Sequence, residues 1–194
     1  MRDLGKLLGG DMSMARGINA AGQVVGWATT RRTAMRAFLW MPQILVDLYV
    51  LPGGDMSMAN GINDAGQVVG LSATAPSSAT NVLGTPHAFL WTAAGGMKDL
   101  GTLPGDVESF ADSINNAGQV VGWARDALDS RRAFLWTAEG GMQDLGTLPG
   151  CISSEAIGIN DAGQVVGRAY DAQGNSHAFL WTPDKPPTVA ASTH

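Results

Sequence analysis

Small and polar residues alternate with larger ones in four short runs along the chain: Ser13-Met14-Ala15, Ser57-Met58-Ala59, Ser109-Phe110-Ala111 and Ser154-Glu155-Ala156. A period of two over a few residues predicts a strand with one face inward. Each run is followed by a β-branched pair, at Val24, Val68, Val120 and Val165, and then by Ala-Phe-Leu-Trp, ending at Trp40, Trp91, Trp136 and Trp181. Both compositions favour extended structure. Asn-x-x-Gly and Pro-Gly signals separate the runs and predict turns. No stretch carries a 3.6-residue period of helical length.

The runs belong to a fourfold repeat. Ile-Asn-x-x-Gly-Gln-Val-Val-Gly begins at Ile18, Ile62, Ile114 and Ile159, each 15 residues after an Asp-Leu at Asp3, Asp47, Asp99 and Asp144. Successive repeats are 44, 52 and 45 residues apart, the extra length of the second lying between Gly70 and His87. Four strands in about 45 residues is the spacing of propeller blades. The fold expected is therefore all-β: a small propeller of four blades, each of four antiparallel strands. Met1–Leu7 would close it by pairing with the last blade and removing the free edge. The alternative is an open array that closes on dimerising. One domain spans 1–184, with repeats at 3–46, 47–98, 99–143 and 144–184 and a flexible tail at 185–194.

Composition narrows the class further. Glycine makes up 26 of 194 residues and charged residues only 15%, against about 25% charged in ordinary domains. Substantial hydrophobic content argues against disorder, and one cysteine rules out a disulfide framework. With 17 acidic against 12 basic residues there is no basic face for phosphates, so no nucleic-acid partner is expected. No apolar run approaches the ~20 residues of a membrane span. The opening Met-Arg-Asp-Leu-Gly does not read as a secretory signal.

Residues repeated four times are expected to serve the fold. The phenylalanines and tryptophans of Ala-Phe-Leu-Trp should pack the blades together. Gly22, Gly66, Gly118 and Gly163 should supply a positive φ in the turn, and Gly26, Gly70, Gly122 and Gly167 a close approach of a neighbouring strand. The four Asp-Leu aspartates should accept hydrogen bonds from turn amides. Ser13, Ser57, Ser109 and Ser154 share a strand face with small alanines, which places them on the innermost strand. There they would ring a narrow axis, as ligand-binding hydroxyls or bonded to one another and to water.

Function is expected where the repeats disagree. The segment before the inner strand varies most, and in or beside it stand Asp11, Asp55, Asp106, Glu108 and Glu155. Five carboxylates at one channel mouth would suit Ca²⁺, or form a solvated acidic rim. His87 and His177 alternate with Arg36 and Arg132 before Ala-Phe-Leu-Trp, a surface or blade-edge choice, with a catalytic histidine as the alternative. Cys151 stands alone, and Met12, Met14, Met56 and Met58 could form an apolar lip beside the acidic loop or belong to the core.

Three strings carry a family likeness: Ile-Asn-Asp-Ala-Gly-Gln-Val-Val-Gly at 62–70 and 159–167, His-Ala-Phe-Leu-Trp at 87–91 and 177–181, and Gly-Met-x-Asp-Leu-Gly-Thr-Leu-Pro-Gly at 96–105 and 141–150. Across residues 1–182 the chain resembles the bacterial HAF-repeat family. Repeats one and three depart from the pattern with arginine in place of histidine, and repeat one has Met41–Val46 instead of the Gly-Gly-Met turn. The resemblance implies a β-rich repeat protein, often exported and hence extracellular, with no agreed biochemical role. It transfers no catalytic residue.

The function expected is a ligand-binding or interaction module with an acidic channel mouth, monomeric or dimeric, taking a small molecule or a protein. The alternatives are a calcium-assisted hydrolase of esters or lactones and a structural repeat of a surface protein.

Overall fold

The computed structural model describes residues 1–31, 34–78, 81 and 83–183; the tail expected at 185–194 lies outside them. Each repeat folds into its own antiparallel sheet, in chain order across the sheet. The first sheet holds β1 (Ser13–Ile18), β2 (Val24–Thr29), β3 (Met35–Met41) and β4 (Ile44–Asp47). The second holds β5 (Ser57–Ile62), β6 (Val68–Ala73), β7 (Pro86–Thr92) and β8 (Gly96–Asp99). The third holds β9 (Glu108–Ile114), β10 (Val120–Arg125), β11 (Arg131–Thr137) and β12 (Gly141–Asp144). The fourth has three strands: β13 (Cys151–Ile159), β14 (Val165–Asp171) and β15 (Ser176–Trp181). The chain is all-β among the described residues, and no helix is long and apolar enough to cross a membrane.

Local chemistry sets the strand ends. Asp47, Asp99 and Asp144 each accept a hydrogen bond from the amide two residues on, at 2.7 Å, and Asp3 does the same at 2.9 Å. The turn this makes ends the fourth strand at the aspartate. Gly118, at φ 78°, closes the Asn-x-x-Gly turn after β9, as the repeated glycine does in the other units. At Gly122, packed against β9, an added Cβ would lie 1.9 Å from the Phe110 carbonyl oxygen.

Consecutive sheets pack face to face, and the same positions meet at every boundary. Val25, Ala37 and Leu39 of the first sheet meet Ala59, Val68 and Phe89 of the second. Val69 and Ala88 of the second meet Ala111, Val120 and Phe134 of the third. Val121, Ala133 and Leu135 of the third meet Ala156 and Val165 of the fourth. Phe38, Phe89 and Phe134 are at most 1% exposed, and each such burial contributes about 2–3 kcal/mol.

The repeated serines join the sheets instead of lining an axis. Ser57, Ser109 and Ser154 each accept the backbone amide of Ala37, Ala88 or Ala133 on the preceding sheet, at 2.8–3.0 Å. Each hydroxyl also donates to the carbonyl eight residues back, at 2.5–2.7 Å. Their donor is committed to the fold, so no ring of ligand-binding hydroxyls forms.

Two expectations about closure are not met in this structure. Among the described residues the fourth sheet has three strands, and Met1–Leu7 forms no strand and does not pair with β15. The N-terminal segment stays with the first sheet instead. Gly5 accepts a hydrogen bond from Ser13 Oγ at 2.9 Å, and the Arg2 guanidinium lies 5.1 Å from the centre of the Trp40 ring.

Candidate functional site

The inner strands β1, β5, β9 and β13 lie in succession, and the sequence differs most at two positions along them. One is the residue after the repeated serine: Met14, Met58, Phe110 and Glu155. It faces the start of the third strand of the preceding sheet. The equivalent positions hold Met35 and Met58 at the first boundary, which share one apolar cluster with Phe110, and Pro86 and Phe110 at the second; all are apolar. At the third boundary they hold Arg131 and Glu155, a charged pair in an otherwise oily place.

Glu155 is 2% exposed and is held from two sides. Arg131 Nη1 donates to Oε1 at 2.5 Å, and Arg168 Nε to Oε2 at 2.7 Å. Burial of a carboxylate at this depth requires such pairing. The Arg131 guanidinium also lies 4.9 Å from the centre of the Trp123 ring, which stacks on Phe110 at 4.0 Å. Arg168 lies over Tyr170 at 5.5 Å. Around these groups opens a cavity of about 310 Å³ lined by Asp129, Arg131, Ser153 and Tyr170. Asp129 holds φ 66°, unusual for a side-chain-bearing residue, and accepts from Arg125 Nη1 at 2.9 Å. Arg125 in turn donates to Glu108 Oε2 at 2.5 Å. A groove with guanidinium donors, a tyrosine ring and a carboxylate can orient a polar ligand of modest size.

The second variable position lies two residues further along: Arg16, Asn60, Asp112 and Ile157. Arg16 Nη1 donates to Asn60 Oδ1 at 3.3 Å, and Asn60 Nδ2 donates to the Ala111 carbonyl at 2.8 Å, with Asp112 Oδ1 at 3.5 Å. Burial first, and the Glu155 carboxylate second, push the Asp112 carboxyl up to about 7, against the pull of Arg16, a Trp123 hydrogen bond and Arg168. A carboxyl that titrates near neutrality thus sits beside the charged groove.

The five carboxylates expected to share a cation are not brought together. Asp55 accepts from Ser77 Oγ at 2.6 Å and from the Ser77 amide, and the hydroxyl hydrogen bond holds its carboxyl below the usual range despite some burial. Asp106 takes Arg132 at 2.7 Å, while Glu108 and Glu155 take the arginines already described. Asp11 is exposed at the start of the first sheet, its amide donating to Thr29 Oγ1 at 3.0 Å. Among the described residues no group of three or more His, Cys, Asp or Glu is placed to hold a metal. Arginines brought in from other strands absorb Asp106, Glu108 and Glu155, and Ser77 takes Asp55.

The histidines also pair locally: His87 Nδ1 lies 2.9 Å from Asp99 and His177 Nε2 3.6 Å from Asp171. At the opposite end of the sheets, the Asn-x-x-Gly turns of all four repeats surround a polar hollow of about 350 Å³. Its asparagines are spent on one another's turns: Asn19, Asn63 and Asn115 each donate Nδ2 to the next repeat's asparagine carbonyl at 3.0 Å.

Glu108 and Glu155 are legible in the sequence as variable acids, whereas Arg131, Arg168, Tyr170 and Asp112 do not stand out there. For Arg131 and Arg168 the signal is a charge at positions that are uncharged in the sister repeats.

No protein-family model and no curated protein matches the chain. Among solved structures it is similar to a triple arginine-to-alanine mutant of AofleA from Arthrobotrys oligospora, with 11% identity and a TM-score of 0.48. That match covers 89% of this chain and 55% of the other, so this chain spans about half of that protein's length.

Proposed function

We propose that the chain is a propeller-type binding module whose four sheets act as blades. Its ligand site is the charged groove between the third and fourth blades. One observation carries this reading: the buried Glu155, paired with the half-exposed Arg131 and Arg168 and flanked by Tyr170, stands where the sister boundaries carry apolar residues, beside an open cavity. A hydrophobic pair would hold the blades together as well or better, so the charge is there for something other than packing. The guanidinium faces and the tyrosine ring suit a small ligand rich in hydroxyl or carboxylate groups. Ser153 and Asp129 offer further hydrogen-bonding partners.

Saturation-transfer NMR with neutral monosaccharides and the corresponding uronic acids tests this. Signal transfer is expected to at least one of them, stronger for the acids if the arginines lead. Tyr170→Ala and Arg131→Gln should weaken it about tenfold or more, the worth of one charge-assisted hydrogen bond. Absence of transfer to every sugar and acid, or equal transfer in both variants, would sink the proposal.

A further inference from the structure

The first and fourth sheets present the two halves of an interface that this fold builds three times. On the fourth sheet, Val166 is 51% and Leu180 63% exposed, and Ala178 is exposed as well. Their equivalents Val25, Ala37 and Leu39 in the first sheet are buried at 0%, 0% and 4% by the second sheet. A groove lined by Leu145, Leu148, Phe179 and Trp181 runs beside β15, where the other sheets carry their fourth strand. On the first sheet, β1 shows the matching half: Ala15 is exposed and Ile18 is 69% exposed. The equivalent Ala59 and Ile62 pack against the sheet before them.

The N-terminal segment is already set as the missing strand's continuation. Ser13 Oγ donates to the Gly5 carbonyl as Ser57, Ser109 and Ser154 do to residues eight back. Arg2 lies over Trp40 as Lys98, at the same place before the aspartate, lies 5.4 Å from the Trp136 ring centre. Phe38, in the first sheet, is 1% exposed.

From these matching halves we infer that a second copy of this chain docks head to tail on the fourth sheet. Its Met1–Leu7 segment forms the fourth strand on β15, and its β1 covers Val166, Ala178 and Leu180. The internal boundaries specify the contacts. The Ala178 amide meets Ser13 of the second copy, as Ala37, Ala88 and Ala133 meet their serines. His177 meets Asp3 of the second copy, as His87 meets Asp99 and Arg132 meets Asp144. Asn160 Nδ2, which donates within its own turn to Gln164, gains the Asn19 carbonyl that continues the asparagine chain. Such a contact joins two different surfaces, so one variant on each suffices to dissect it.

Sedimentation velocity across the micromolar range tests the inference. The wild-type chain is expected to associate in proportion to concentration. Leu180→Arg on one face and Ile18→Arg on the other should each be monomeric, with an unchanged melt because both positions are exposed. A mixture of the two variants keeps one good copy of each face and should form a dimer that grows no further. A wild-type chain monomeric throughout that range would overturn the inference, as would either variant associating like wild type.

Discussion

Gly122→Ala is expected to unfold the protein or to cost more than about 4 kcal/mol, the exceptional end of single substitutions. The reason is backbone, not side chain. The new Cβ would stand 1.9 Å from the Phe110 carbonyl oxygen and 2.9 Å from the Ala111 Cα, so β9 and β10 would have to separate. Phe134 and Trp136, which pack in the core built on these strands, would lose their seat. Urea unfolding followed by tryptophan fluorescence would show the midpoint collapse. A Gly122→Ala protein within about 1 kcal/mol of wild type would mean that the strands can move apart cheaply, against a close-packed interior.

Asp112→Asn is expected to stabilise the protein in a pH-dependent way, by up to about 4 kcal/mol at pH 8, because moving a pKa by one is worth about 1.4 kcal/mol. The folded chain holds the Asp112 proton up to about pH 7, whereas the unfolded chain releases it near 3.8. Folding therefore binds a proton between those values, and wild-type stability falls as pH rises through that window and then levels off. Asparagine cannot ionise, so the variant should match wild type near pH 4 and exceed it progressively up to pH 7. Asp55 and Asp99 act oppositely and elsewhere. The Ser77 hydroxyl lowers the one; for the other, burial pulls upward but is outweighed by His87 and the Gly101 amide. The stability they give is present above the ordinary carboxylate range and is lost as pH falls below it. Thermal melts of wild type and Asp112→Asn from pH 4 to pH 8 check this. Parallel curves would show that Asp112 is ionised throughout.

Much of the fold is legible because a fourfold repeat states each constraint four times. The Asp-Leu aspartates, the turn glycines and the glycines after Val-Val all do what residue chemistry alone implies. The serines mislead for a physical reason. Small residues alternating on an inner strand look the same whether they face an axis or a neighbouring sheet, and only the register with Ala37, Ala88 and Ala133 distinguishes the two. Asp106, Glu108 and Glu155 find partners that a linear reading does not place beside them. Arg125 and Arg168 lie across the sheet from Glu108 and Glu155, and Arg132 reaches Asp106 from 26 residues away. The neutral-range titration of Asp112 needs burial and the Glu155 charge together, neither of which a linear pattern displays.

Three like boundaries and a fourth left open make head-to-tail docking the central claim. Its most direct measurement is a disulfide trap between Arg2→Cys and Leu180→Cys in a Cys151→Ser background. These positions stand to each other as Gln143 does to Leu135 in the β11–β12 pairing. Disulfide-linked dimers and larger species are expected, with yield rising with protein concentration. A bond formed within single chains, in the same yield at every dilution, would contradict the claim by showing that the N-terminal segment closes on its own fourth sheet.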